Sequence, residues 1–331
     1  MKKVSAKANS NIALVKYWGK RDHSLNLPAV PSISITLDAL YTETTVIFDP
    51  EMNSDSLILN RVQASEKETK RITKFLELIR QKKNITTFAK IESINNFPTA
   101  AGLASSASSF ACLALAASTA AGLSLNRSEL SALARIGSGS AARSVFGGFV
   151  EMKLGEKKDG SDSVAEPLFP ASHWDLSVLI AITSEEKKKT GSTDGMELSR
   201  ITSPYYQSWI ESSVSDIEEM RSALLKRDFE KTAEISEFSC LKMHALAMAS
   251  NPGLIYWNGT TVELIHGIRQ MRSNGIPVFF TIDAGPQVKA VCPAEYTKII
   301  QNNLLQVKGV KRVMQTALGG DAEILKVEDC N

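Results

Sequence analysis

One stretch limits the possible folds more than any other. Residues 88–94 read as a strand, residues 105–121 form an alanine- and serine-rich run that ends at Gly122, and a loop of small residues joins them. The joining string is Asn95-Asn96-Phe97-Pro98-Thr99-Ala100-Ala101-Gly102-Leu103-Ala104-Ser105-Ser106-Ala107. Small side chains let backbone N–H groups approach an anion, and the first turn of the following helix adds unpaired donors and the positive end of its dipole. Close packing of a small-residue helix on a sheet accounts for the same composition. The string is not a Walker loop, because G-x-x-x-x-G-K-[ST] does not occur in it.

The rest of the chain supports a βα-rich opening half and an α+β second half. Alternation at residues 32–37 and 44–48 predicts strands, and the apolar spacing of 66–82 predicts a helix. A second helix is expected over 126–136, opened by the capping box of Asn126 and Glu129 and stopped by the small residues 137–140. The polar stretch 155–163 reads as a surface loop. After it come an apolar strand at 176–182, helical periods at 208–226, 229–249 and 260–272, and a buried strand at 278–282. A division into 1–172 and 173–331 follows, and 331 residues at 43% hydrophobic composition suffice for two cores.

Charge and cysteine usage exclude several classes. A formal charge of +2 gives no global field for nucleic acid or an anionic membrane, so an anionic ligand would be attracted locally. Cys112, Cys240, Cys292 and Cys330 form no CxxC pair, which fits reduced thiols in a cytoplasm. The basic start lacks an apolar core for export, and the longest apolar stretch, 110–121, is too short to span a bilayer. His23, His173, His244 and His266 have no metal-ligand spacing.

Three further segments carry chemistry. Asn9-Ser10-Asn11-Ile12-Ala13-Leu14-Val15-Lys16-Tyr17-Trp18-Gly19-Lys20 sets Lys16 behind an apolar run, where partial desolvation would strengthen its hold on a carboxylate or phosphate; a solvated edge lysine is the alternative. Gly137-Ser138-Gly139-Ser140-Ala141-Ala142-Arg143 places hydroxyls before an arginine, whose fork suits carboxylates and phosphates or, equally, loop carbonyls. The same residues satisfy G-x-G-x-x-A, but a dinucleotide fingerprint should follow a strand and open a helix, whereas 128–136 reads as helix. Asp283 ends the apolar run 277–282 before Ala284-Gly285-Pro286, either bonding turn amides or acting as an acid whose ionisation Lys16 or Arg143 would control.

These motifs, in this order from Lys7 to about Val288, resemble the GHMP kinase superfamily and, within it, the mevalonate diphosphate decarboxylases. The loop is similar to P-x-x-x-G-L-[AGS]-S-S-A, the opening to N-I-A-x-x-K-Y-W-G-K, the arginine segment to S-G-S-A-C-R-S with Ala142 at the usual cysteine, and the acid to F-D-A-G-P-N with Ile282 and Gln287 as departures. The resemblance implies a ribosomal-protein-S5-like βα domain joined to a ferredoxin-like α+β domain, with the active site in the cleft between them. It implies ATP-dependent decarboxylation of mevalonate 5-diphosphate, with a 5-monophosphate decarboxylase, a small-molecule kinase or a non-catalytic metabolite sensor as alternatives.

By the same resemblance Asp283, Lys16 and Arg143 would be catalytic. Tyr17, Trp18, Gly19, Lys20, Arg71, Ser138, Gly139, Ser140, Ala141, Ala142 and Arg143 would bind substrate. Ser192 and Thr193 would join them, from a stretch similar to V-S-S-T-x-G-M, although a flexible polar loop explains that stretch as well, and a solvated helix face explains Arg71. Pro98, Ala101, Gly102, Leu103, Ala104, Ser105 and Ser106 would hold ATP, with Ser105 and Ser106 also meeting Mg²⁺. A homodimer is the family expectation. Leu318-Gly319-Gly320-Asp321-Ala322 is only loosely similar to the third GHMP motif and receives no catalytic role.

Overall fold

A computed structural model describes residues 2–97, 105–186 and 188–330. Pro98, Ala101, Gly102, Leu103 and Ala104, assigned above to ATP, lie outside the described residues.

Strand β1 (Lys2–Val15) is the axis of the molecule, alternating at its start and continuously buried from Ala8 onward. A strand buried on both faces needs cover on each side. It pairs antiparallel with β2 (Ser32–Asp49), a single long strand where the sequence predicts two. Asn9 pairs Tyr41 while Asn11 pairs Thr36, so residues 37–40 are accommodated by a bulge, and this interruption of alternation reads in sequence as a gap. The sheet continues through β3 (Ser56–Leu59), β4 (Val62–Gln63) and, after helix α1 (Glu66–Lys83), β5 (Phe88–Asn95). Helices α2 (Ser105–Ala120) and α3 (Arg127–Gly137) follow. The α3 capping box is formed by Asn126 and Glu129 as expected. Its end runs into a 3₁₀ turn at Gly139–Val145, so the G-x-G-x-x-A residues follow a helix and not a strand. Strands β6 (Phe149–Met152) and β7 (Ala165–Phe169) add to the β2 side.

The second sheet is wholly antiparallel. Its members are β8 (Leu176–Ile182), β9 (Phe279–Thr281), β10 (Val288–Pro293) and β11 (Arg312–Ala317), in the order β9-β10-β8-β11. Helices α4 (Ser192–Thr202), α5 (Tyr206–Lys226), α6 (Phe229–Met248), α7 (Gly259–Ser273) and α8 (Thr297–Gln306) accompany it. The stretch of Ser192 and Thr193, for which a flexible polar loop is the sequence's alternative to substrate binding, is the first turn of α4, whose short apolar face the sequence hardly displays.

Two features lock the sheets together. Ile12, Leu14 and Val15 of β1 and Ile33 and Ile35 of β2 share one core with Val178 and Ile180 of β8, Met220 of α5 and Phe279 of β9. The last strand, β12 (Glu323–Asp329), then returns to pair with β1. The return crosses at residues 318–322, where the Gly148 N–H donates to the Gly319 carbonyl at 2.9 Å and the Gly147 N–H to Asp321 Oδ1 at 2.7 Å. A Cβ on Gly147 would lie 2.5 Å from the Gly320 carbonyl carbon, against backbone that has no rotamer with which to yield. Gly147→Ala is therefore expected to lower stability by about 1–3 kcal/mol, measured as a reduced urea midpoint.

Candidate active site

Where β1 ends, the chain turns into a cavity of about 730 Å³ between the two halves. Lys16, Tyr17, Trp18 and Lys20 line it, together with Arg71, Ser105, Ser106, Ser138, Gly139, Ser140, Arg143, Ser192, Thr193 and Asp283. The structure thus gathers onto one cavity residues that span most of the chain. Gly19, Ala141 and Ala142 are not among the lining residues. Ala141 and Ala142 are fully buried in the core under α2 and α3, where methyl groups fill space and only the backbone serves the loop. Gly19 has φ +102°, and a Cβ there would lie 2.5 Å from the Tyr206 hydroxyl; its part is the turn between Trp18 and Lys20. Trp18 is anchored at its edge, its indole N–H donating to Ser199 Oγ at 3.1 Å.

The centre is an ion pair. Lys16 Nζ lies 2.8 Å from Asp283 Oδ1, and Lys289 Nζ lies 3.3 Å from Oδ2, with both lysines about 1% exposed. Burial pushes the Asp283 carboxyl up, but Lys16 and Lys289 outweigh it and hold it well below the usual carboxylate range. The Lys16 N–H donates to Ser239 Oγ of α6 at 3.0 Å, which fixes the backbone beneath the pair.

Arg143 is different in kind. Its guanidinium donates to Ser34 Oγ at 3.0 Å, Ser32 Oγ at 2.6 Å and Asn11 Oδ1 at 3.3 Å, all neutral acceptors. It is 2% exposed, and burial pulls its pKa down to about 10, so it remains charged at neutral pH. Its charge is buried against oriented dipoles while it faces the cavity, which suits an anionic ligand. The Tyr17 ring lies 6.0 Å away, and among the described residues its hydroxyl is a buried polar atom without a hydrogen-bond partner. Ser138 Oγ is 3.2 Å from both Ser106 Oγ and Ser140 Oγ, a chain of hydroxyls from the start of α2 to the arginine loop. Arg71, on α1 over the Phe110 ring, donates to the Gly137 carbonyl at 3.0 Å.

Two family models cover the chain: a diphosphomevalonate decarboxylase-like N-terminal domain matches residues 8–165, and a mevalonate 5-diphosphate decarboxylase C-terminal domain matches 178–327. The human diphosphomevalonate decarboxylase is 39% identical over 302 residues, covering 86% of this chain and 75% of the human protein. The chain belongs to the diphosphomevalonate decarboxylase family. Its fold, the GHMP kinase fold expected from the sequence, superposes on mevalonate diphosphate decarboxylase from Staphylococcus aureus with TM-score 0.94 at 38% identity, over 98% of this chain and 99% of that one. It superposes on MDDEF in complex with MVAPP, AMPPCP and magnesium with TM-score 0.92 at 40% identity, over 98% and 100%.

Sequence reasoning passed over several residues of this decarboxylase-family site. Lys188, given no role from the sequence, lines the cavity and donates from Nζ to Ser192 Oγ at 2.8 Å and to the Ala284 carbonyl at 3.1 Å. Burial pushes its pKa down. Lys74, one turn beyond Arg71, lines the mouth. Lys289 sits within an otherwise apolar strand, and that mismatch was a readable signal. Ser32, Ser34 and Asn11 carried none, because hydroxyls and amides on a strand are ordinary until the fold aims them at one arginine.

The donor set also speaks to Mg²⁺. Lys16, Lys20, Arg71, Lys74, Arg143 and Lys188 line the cavity against the single carboxylate of Asp283, and among the described residues no group of three or more His, Cys, Asp or Glu could hold a metal. Such a wall suits a cation brought on phosphate oxygens, with a hydroxyl or two from the protein, and not a protein cage.

Beneath the acid, His244 of α6 donates from Nε2 to the Ile282 carbonyl at 3.3 Å. Burial, reinforced by Lys16, lowers its pKa to about 3. Between its unfolded value near 6.5 and that folded value, the unfolded chain binds a proton that the native state does not, so His244 costs stability as pH falls from about 6.5. The expected result is a His244 imidazole that stays neutral at about pH 5 by NMR, and a His244→Gln variant whose stability declines less steeply on acidification.

Proposed function

We propose that the protein catalyses ATP-dependent decarboxylation of (R)-mevalonate 5-diphosphate to isopentenyl diphosphate, in the cleft between an ATP-binding unit, residues 1–172, and an α+β unit, residues 173–331. Family membership supports the reaction, and one observation supports the chemistry above all: the Asp283 carboxylate is held between Lys16 and Lys289, beside a buried Arg143 whose hydrogen-bond partners are neutral.

In this reading Asp283 accepts a hydrogen bond from the tertiary 3-hydroxyl. Because two lysines hold it anionic, its first task is to aim the oxygen lone pair at the γ-phosphorus; it receives the proton as the new oxygen–phosphorus bond forms and the bond to the β,γ-bridging oxygen breaks, its electron pair leaving with ADP. Ser105 and Ser106, which open α2 and line the cavity, bind ATP phosphates with the N-terminal end of that helix. Mg²⁺ bound with ATP would meet these two hydroxyls and supply charge neutralisation. Lys188 is placed to add its charge from the opposite wall.

Phosphorylation makes a leaving group. The C3–O bond then breaks with its electron pair going to phosphate, and the C1–C2 bond breaks to release CO₂, its pair forming the C2=C3 double bond. Arg143 orients the departing carboxylate, while Tyr17, Trp18, Lys20, Arg71, Ser138, Ser140, Ser192 and Thr193 hold the 5-diphosphate end. Cys112, Cys240 and Cys292, buried and in no disulfide, support a reducing cytoplasm, and a homodimer follows the family expectation. Among the described residues no helix is long and apolar enough to cross a membrane.

The test is release of labelled CO₂ from carboxyl-labelled mevalonate 5-diphosphate with Mg-ATP, beside the 5-monophosphate. Asp283→Asn is expected to lower kcat on the order of 10³-fold and Arg143→Gln on the order of 10²-fold. ADP without CO₂ would leave a kinase; binding without either product would leave a sensor.

A further inference from the structure

Lys289 is among the most buried ionisable groups of the molecule. It lies on β10 opposite Thr281 of β9, and the Thr281 hydroxyl donates to the Ala13 carbonyl of β1 at 2.9 Å, so this register faces the end of β1. Its ammonium reaches Asp283 Oδ2 at 3.3 Å, yet Lys289 is not among the residues lining the cavity, whereas Lys16, on Oδ1, is. One carboxylate therefore carries two cations from opposite sides, one in contact with ligand space and one behind the wall.

A buried lysine is retained only where a partner compensates the lost hydration, and a single carboxylate does not need two. The arrangement makes sense if the nearer lysine is shared with the ligand. A phosphate or carboxylate entering the cavity competes for Lys16; without a second cation the Asp283 carboxylate would then be left buried, free to turn and ready to take a proton. We propose that Lys289 is a positioning residue that holds the Asp283 carboxylate from behind the cavity wall, leaving Lys16 free to engage the anionic substrate. This rests on Asp283 being the working carboxylate of the proposed reaction.

The groups facing Lys289 fix the sign of the effect. They are Asp283, Lys16 at the end of β1, Cys240 and His244 of α6, and Lys188 after β8. Burial lowers the Lys289 pKa, Asp283 raises it and Lys16 lowers it again. Asp283 is the one acid of the group and, with Lys289 removed, keeps one ion pair, to Lys16, with Lys188 and Arg143 acting on it from farther off, so its carboxyl titrates at higher pH.

The experiment is the pH dependence of kcat and KM for ATP-dependent CO₂ release by the full chain and by Lys289→Met, Lys289→Arg and Asp283→Asn, each checked by thermal unfolding. Lys289→Met is expected to lower kcat on the order of 10-fold with KM within about 2-fold, and to raise the acid limb of kcat toward the ordinary carboxylate range of about 4. Lys289→Arg, which keeps the charge, should retain the wild-type limb. Should the methionine variant be too unstable to purify, Lys289→Gln serves the same comparison. A limb unmoved by loss of the charge, whether or not kcat falls, would overturn the proposal and leave Lys289 a packing residue. An Asp283→Asn enzyme with wild-type kcat would overturn the reading of Asp283 itself; an inactive one beside an unmoved Lys289→Met limb overturns the positioning role alone.

Discussion

The pairing of Lys16 with Asp283 is the interaction on which the rest of the arrangement depends. It joins the end of β1, which lies between β12 and β2 in the first sheet, to Asp283 just past the short strand β9 of the second, across a core both sheets share. The pair is costly to bury, and burial is tolerable here because the surrounding backbone is already fixed: Ser239 holds the Lys16 N–H, and the Thr281 hydroxyl bonds the Ala13 carbonyl. The cavity is accordingly formed where β1 leaves the first sheet and not at a loop tip. Its chemistry is positioned by two strand ends whose relative placement is set by packed Ile12, Leu14, Val15 and Phe279.

Much of this was legible in the sequence, for identifiable reasons. Apolar runs with a charged residue at their end, as at Lys16 and Asp283, are conspicuous because a strand end is the one place where a buried run can deliver a charge to a site. Helices α1 and α3 declare themselves through periodicity and, for α3, a capping box. Less legible was whatever depends on register between distant segments. Nothing local to Ser32 or Ser34 says that β2 will lie under Arg143, and nothing in the largely exposed 323–329 says that it will return to β1. Lys188 gave no signal because a run of lysines ordinarily marks solvent, and only tertiary structure singles out the one that turns inward.

The glycines of the crossing at 318–322 show the same division. Their loose similarity to the third GHMP motif invites a ligand role, but Gly319 bonds Gly148 and Thr36, Gly320 accepts from Asn9 Nδ2, and a Cβ on Gly147 or Gly319 would strike the backbone of the facing segment. A motif can be present for the fold that carries the site and not for the site itself.

The electrostatics of the cavity explain how a nearly neutral protein can take a highly charged ligand. The chain as a whole carries a formal charge of +2, yet the cavity sets Lys16, Lys20, Arg71, Lys74, Arg143 and Lys188 around one carboxylate. Burial lowers the pKa of Lys20, Lys188 and Arg143, so these cations are held at a free-energy cost that an anion entering the cavity would relieve. The stability of the empty fold and its affinity for anions are thereby linked: the repulsion that weakens the first strengthens the second, and the net gain appears as stabilisation of the fold by its ligand. Screening by salt acts least on Arg143 and Lys16, which are buried, and most on Arg71 at the rim. The outer cations therefore draw ligand in, and the inner ones determine where its reacting atoms come to rest.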